Sequence, residues 1–116
     1  MTDKNADQIK ALYVELHKIA PSQDWERILK IAKKILGFSI YETKAFQCKI
    51  VCLIHLDKFD EALTSMERSP DTGNFYFEKA YCEYRLNKNE ESYATLQKIQ
   101  EMNVREKELL AQVVSF

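Results

Sequence analysis

Three cysteines and two histidines are the side chains with the strongest claim to chemistry in this sequence. Cys48, Cys52 and His55 fall at steps of four and three, on one side of a helix, and Cys82 could complete a four-ligand set of the kind that holds structural zinc. Against this, Cys52 and Cys82 are equivalent positions of two similar segments, and the CxxC hairpin usual at such sites is missing. The thiols are therefore expected as small buried side chains, with no metal and no cofactor. Catalysis finds as little support: His17 and His55 are the only histidines, no Ser or Cys stands in a nucleophile elbow, and no Gly-rich loop could cradle a phosphate. Arg27, Lys30 and Lys34 share one side of a helix, but Glu26 interrupts them and 17 basic against 18 acidic side chains leave a net charge of −1. A solvated outer face is expected there, with RNA contact weak or absent. What remains is recognition. Phe77, Tyr81 and Tyr84 recur at steps of four and three and can form one aromatic ladder, in which Tyr offers area plus a hydrogen-bonding tip suited to a peptide.

The elements that must position these side chains are helices. The 116 residues suffice for one compact domain; 46% are apolar and 30% charged, and only 2 Gly and 2 Pro are available for tight turns. Apolar residues recur at three- and four-residue steps through Ile9, Leu12, Leu16 and Ile19, then Trp25, Ile28, Leu29, Ala32, Ile35 and Leu36, then Ala45, Cys48, Cys52, Leu53 and Leu56. Helices are predicted at 6–20, 23–36, 40–56, 58–68, 74–86, 88–101 and from 104 to the end. Ser39 with Glu42, Asn87 with Glu90, Asn103 with Glu106 and, more weakly, Asp57 with Asp60 have capping-box spacing. Gly37 is expected to close the second helix, and the break from Ser69 to Asn74 holds Pro70 and Gly73. No stretch nears the ~20 apolar residues that cross a bilayer, and charge runs through the first twenty residues, so a cytoplasmic protein with no membrane contact is expected.

Neighbouring helices joined by such short turns run antiparallel, and the resulting hairpins are copies of one another. Lys49 to Ala62 overlays Lys79 to Ser92, with Lys, Cys, Leu, Lys and Glu coinciding; Trp25 precedes Phe59 by 34 residues, and Phe59 precedes its counterpart Asn89 by 30. The pattern resembles tetratricopeptide repeats, with Leu56-Asp57-Lys58-Phe59-Asp60-Glu61-Ala62-Leu63 at a helix-turn-helix core and Ala80 and Ala111 at small-residue positions. Departures are Ile50 at a small position, Asn89 at an aromatic one and a short second repeat, so a shortened helix before Pro70 is expected. The resemblance implies an all-α solenoid of three hairpins plus a final unpaired helix, in one domain with repeats at about 6–37, 40–70 and 74–102 and a partial fourth at 104–116. It places Tyr13, His17, Gln47, Val51, Ile54, His55, Phe77, Tyr81, Tyr84 and Arg85 on an inner groove, and Trp25, Phe46 and Phe59 mostly in the core. The Lys, Asn and Arg clamp that grips chaperone tails is missing, since the matching positions hold Tyr13, His17, Cys48, Asn74 and Glu78. The last helix has apolar flanks at Leu110, Val114 and Phe116, so the chain is expected to belong to a longer array or to self-associate as a homodimer through that helix.

A closer resemblance rests on Cys48 to Ile54, on Phe59-Asp60-Glu61-Ala62-Leu63 and above all on Phe77-Glu78-Lys79-Ala80-Tyr81-Cys82-Glu83-Tyr84-Arg85-Leu86-Asn87, a string that repeat packing does not demand. These stretches resemble the N-terminal repeats of the seventy-two-kilodalton subunits of the eukaryotic signal recognition particle. The resemblance implies a non-enzymatic scaffold that holds the sixty-eight-kilodalton companion subunit, within the ribonucleoprotein that targets ribosomes to the endoplasmic reticulum.

Overall fold

The structure, a computed structural model, describes residues 2–69, 75–99 and 102–114, and their side chains from residue 5 onward. Seven α-helices are present: α1 (Thr2–Ile19), α2 (Trp25–Phe38), α3 (Thr43–His55), α4 (Phe59–Glu67), α5 (Tyr76–Arg85), α6 (Asn89–Leu96) and α7 (Val104–Val114), with a 3-10 turn at Ala20–Ser22 and no strand among the described residues. The chain divides into two compact units, Met1–Asp57 and Lys58–Phe116.

In the first unit α2 packs against both α1 and α3. Its Ile28, Leu29, Ile31, Ala32 and Ile35 are all buried, a band wide enough to serve two neighbours. Leu16 of α1 and Ala45, Ile50, Cys52 and Leu53 of α3 are also buried, and Ile50 is fully so although a smaller residue is usual at its position. The second unit packs α5 against α4, α6 and α7. Ala80, Leu96, Leu109 and Val113 form its core cluster, with Phe77, Tyr81, Tyr84, Ile99, Met102 and Leu110 packed around it.

Three turns share one local backbone path. Gln23, Asp57 and Asn87 have φ of 57°, 59° and 64°, and the next residues, Asp24, Lys58 and Lys88, have φ/ψ of −79°/82°, −96°/62° and −92°/64°. A helix then begins at Trp25, Phe59 and Asn89, the three positions that the repeat overlay equates. Asp57 and Asn87 therefore do not cap the helices that follow, as their spacing suggested. They end the preceding ones, because Asp and Asn adopt the left-handed conformation more readily than other non-glycine residues. At the end of α5 the Lys88 amide donates to the Glu83 carbonyl at 2.8 Å and the Asn87 amide to Tyr84 at 3.0 Å, which is a Schellman termination. Asn87→Ala should cost about 1 kcal/mol, because its Cβ gains nothing from the side chain that eases this conformation, whereas Asn87→Gly should be neutral or stabilising. Urea unfolding of the two variants checks the order.

Other local expectations divide in the same way. The box at Asn103 and Glu106 forms reciprocally: the Asn103 amide donates to Glu106 Oε1 at 2.8 Å and the Glu106 amide to Asn103 Oδ1 at 2.9 Å. The box at Ser39 does not form, since α3 begins only at Thr43 and Glu42 turns its carboxylate to Tyr13 instead. Gly37 does not end α2; the helix runs on to Phe38 and stops at extended Ser39, whose amide donates to Ile35 at 3.1 Å. Helix α4 has nine residues, the shortened helix expected before Pro70, while α6 has eight against the longer span the periodicity predicts. After Leu96 the amides of Lys98 and Ile99 bond three residues back, a tightening that cannot propagate as α-helix. Pro70, Gly73 and Asn74 lie outside the described residues.

Candidate functional site

Helix α5 carries a run of linked aromatic and cationic side chains in the second unit. Phe77 and Tyr81 are one turn apart, and their rings lie 6.4 Å apart with planes at 20°. One turn further, Arg85 donates from Nη1 to the Tyr81 hydroxyl at 2.8 Å. Its guanidinium carbon stands 4.7 Å from the centre of the Phe59 ring and 5.8 Å from that of Tyr81. Phe59, the first residue of α4, meets Tyr81 edge-on at 6.1 Å. At the other end, Arg105 of α7 lies 4.4 Å over Phe77. A continuous strip of three rings with a cation at each end results, drawn from three helices. Each cation–ring contact contributes about 0.5–1 kcal/mol where exposed and ~2 kcal/mol when a partner excludes water.

Phe77, Tyr81 and Tyr84 are half-buried and Arg85 is exposed. Tyr84 packs against the core cluster, and Phe77 and Tyr81 commit part of their surface there too. The strip thus has a seated base and an open edge. Sequence reasoning missed two of its members. Phe59 was assigned to the core, where it is indeed buried while still meeting Arg85 and Tyr81. Arg105 lies on a different helix from Phe77, and no spacing within one helix could have joined them.

In the first unit, the residues assigned to an inner groove take different roles. Tyr13 donates its hydroxyl to Glu42 Oε1 at 2.9 Å, closing α1 onto the start of α3. Burial, then the hydrogen bond to Glu42 and that residue's charge, push the Tyr13 hydroxyl up to about 12 from 10.0. Because the folded state holds this proton more tightly than the unfolded chain does, the stabilisation is complete below pH 10 and is lost as the pH climbs from 10 toward 12. The stability gap between the native protein and Tyr13→Phe should accordingly narrow across that window in urea titrations; a gap independent of pH would contradict it. His55 stacks on Trp25 with ring centres 3.9 Å apart and planes within 5°. Val51 and Ile54 are half-buried, and His17 and Gln47 are exposed. Trp25 and Phe46 are themselves half-buried, so neither is the core residue expected.

Burial disfavours the thiolate form at all three cysteines. Cys52 and Cys82 are buried and Cys48 is half-buried. Burial pushes Cys82 up to about 12, with Glu78 and Glu83 adding to the effect, and pushes Cys52 up to about 11; Cys48 is raised for the same reason. Among the described residues no three His, Cys, Asp or Glu side chains gather as a metal site would require. On α7, Leu110 turns partly into the core cluster and Val114 is 52% exposed; Phe116 lies outside the described residues. Ala111 is exposed, so it does not fill the small buried position expected of it; the buried residues of α7 are Leu109 and Val113. No described helix is long and apolar enough to cross a membrane.

Comparison with known proteins points one way. A family profile named SRP TPR-like, described as "Putative TPR-like repeat", matches residues 21–116. Signal recognition particle subunit SRP72 of Schistosoma mansoni is 37% identical over 115 residues, covering 98% of this chain and 16% of the relative. The Homo sapiens SRP72 is 36% identical over 109 residues, covering 91% and 16%, and that of Dictyostelium discoideum is 27% identical over 113 residues, covering 97% and 17%. The chain thus spans about a sixth of the length of these relatives.

Proposed function

The chain belongs to the SRP TPR-like repeat family, and on that premise we propose that it serves as a protein-binding scaffold of the signal recognition particle. In this reading it has no catalytic role, works in the cytoplasm, and holds the sixty-eight-kilodalton companion subunit during co-translational targeting to the endoplasmic reticulum. Its hairpins act as one array of repeats at about 6–37, 40–70 and 74–102 with a partial fourth. The observation that carries the proposal is the strip on α5. Phe77 and Tyr81 are ordered by stacking and by Arg85 and Arg105, so a polypeptide laid against them meets rings that lose little side-chain freedom on binding. Rings with a polar tip and cations at the edges suit an extended or helical segment better than a small molecule.

The direct test is calorimetry of the 116-residue chain with the purified sixty-eight-kilodalton subunit. A saturable one-to-one complex is expected, and absence of heat together with separate elution on gel filtration would overturn the partner assignment. A second reading, homodimerisation through α7, is favoured by Val104 and Val114, which are 71% and 52% exposed. Sedimentation showing a monomer at high concentration excludes it.

A further inference from the structure

The first unit carries an apolar groove that the proposed function does not use. Gln8, Ala11 and Leu12 of α1 and Lys34, Gly37 and Phe38 of α2 line an open groove of about 540 Å³. Two independent features bear on it. The first is Gly37. Glycine is among the poorest helix formers, yet this one lies in the last turn of α2 with φ outside the left-handed range, where any residue would serve. A Cβ built on it meets nothing within 4 Å, so no packing inside the chain requires its smallness. The second is charge. Arg27, Lys30, Lys34 and Phe38 follow one another at steps of three and four along α2, and all four are exposed. The cations form a line about 10 Å long that runs into the groove. The facing helix does not offset them, since the exposed charges of α1 from Asp7 through Lys10 and Glu15 to Lys18 alternate in sign.

We propose that this groove docks an acidic amphipathic helix of a protein partner, with an apolar side chain seated over Gly37 between Leu12 and Phe38 and its carboxylates along Lys34, Lys30 and Arg27. The groove is apolar, and exposed Ile40 and Tyr41 follow Phe38 just beyond it, which favours a polypeptide over the phosphate backbone of a nucleic acid. The proposal does not rest on peptide binding by α5.

The probes are a ~16-residue peptide, about as long as α2, with leucines on one helical face and glutamates on the other, and the same peptide with lysine for glutamate. A single-stranded RNA of similar charge serves as the third. Titration into the 116-residue chain is followed by amide chemical shifts. The glutamate peptide is expected to move the amides of Leu12, Gly37 and Phe38 at saturation and the lysine peptide to leave them in place. Gly37→Leu, which fills the groove from its floor, should weaken the glutamate peptide by roughly tenfold or more without lowering the melting temperature. Lys30→Glu with Lys34→Glu should weaken it similarly and in a salt-dependent way. Equal binding of both peptides, unchanged affinity in Gly37→Leu, or RNA shifting Arg27, Lys30 and Lys34 more strongly than the glutamate peptide does would each overturn the proposal.

Discussion

Replacing Phe77 and Tyr81 together by alanine is expected to weaken the proposed complex with the sixty-eight-kilodalton subunit by about 2–4 kcal/mol, roughly 30- to 1000-fold in Kd. The reasoning begins with order in the free protein. Phe77 is held between Arg105 and Tyr81, and Tyr81 between Phe77, Phe59 and Arg85. A partner that covers the strip removes water from rings and from guanidinium groups already placed over them, and the cation–ring attraction strengthens as water leaves. Alanine loses both the buried area and the stacking surface for the two arginines. Because both rings also lean on the core cluster, part of the effect will be on stability, so binding must be measured well below the variant's melting temperature. Tyr81→Phe separates the contributions. It keeps the ring and drops only the hydroxyl that accepts from Arg85 at 2.8 Å, and it should cost no more than about 1 kcal/mol of binding. Full affinity in the double alanine variant would remove α5 from the interface.

The second large effect concerns a buried polar pair. Thr95 donates from Oγ1 to Glu83 Oε1 at 2.7 Å, and the two residues are 4% and 7% exposed. Thr95→Val keeps the shape and deletes the donor, leaving a buried carboxyl oxygen without its partner, and should destabilise the protein by about 1–3 kcal/mol. In the repeat overlay the position of Glu83 is occupied by Leu53, which is fully buried. The backbone at that place therefore accepts an apolar side chain, and Glu83→Leu with Thr95→Val should recover most or all of the loss. A double-mutant cycle by urea denaturation reads the coupling directly, and a Thr95→Val variant as stable as the native protein would show that the hydrogen bond is not needed. Ser92 repeats the theme. It stands where the earlier segment has Ala62, and its buried hydroxyl donates to the Ala80 carbonyl at 2.7 Å, so the α5–α6 hairpin is tied by polar contacts through Glu83 and Ser92, whose counterparts Leu53 and Ala62 are apolar.

The helical class, the order of the elements and the equivalence of Trp25, Phe59 and Asn89 were legible in the residues, whereas the helices at these positions begin one or two residues later than the periodicity predicts. A helix repeats its buried face every three to four positions, and Ile28, Leu29, Ala32 and Ile35 show that rhythm whatever they pack against. The reciprocal cap at Asn103 is equally local. Local readings failed where one residue type suits two neighbouring jobs. Asp57 and Asn87 have the chemistry of an N-cap and the tolerance for positive φ of a terminator, and only the backbone path decides between them.

What tertiary structure alone decided is which side chains meet. Arg105 over Phe77, Phe59 under Arg85, Tyr13 on Glu42 and Thr95 on Glu83 join residues on different helices or beyond the helix bounds, and Tyr13 and Glu42 are 29 residues apart. Periodicity specifies the direction in which each helix buries itself. It carries no information on the rotation and offset between two packed helices, and a shift of one turn, about 5.4 Å, would replace every one of these partners while leaving the apolar pattern satisfied.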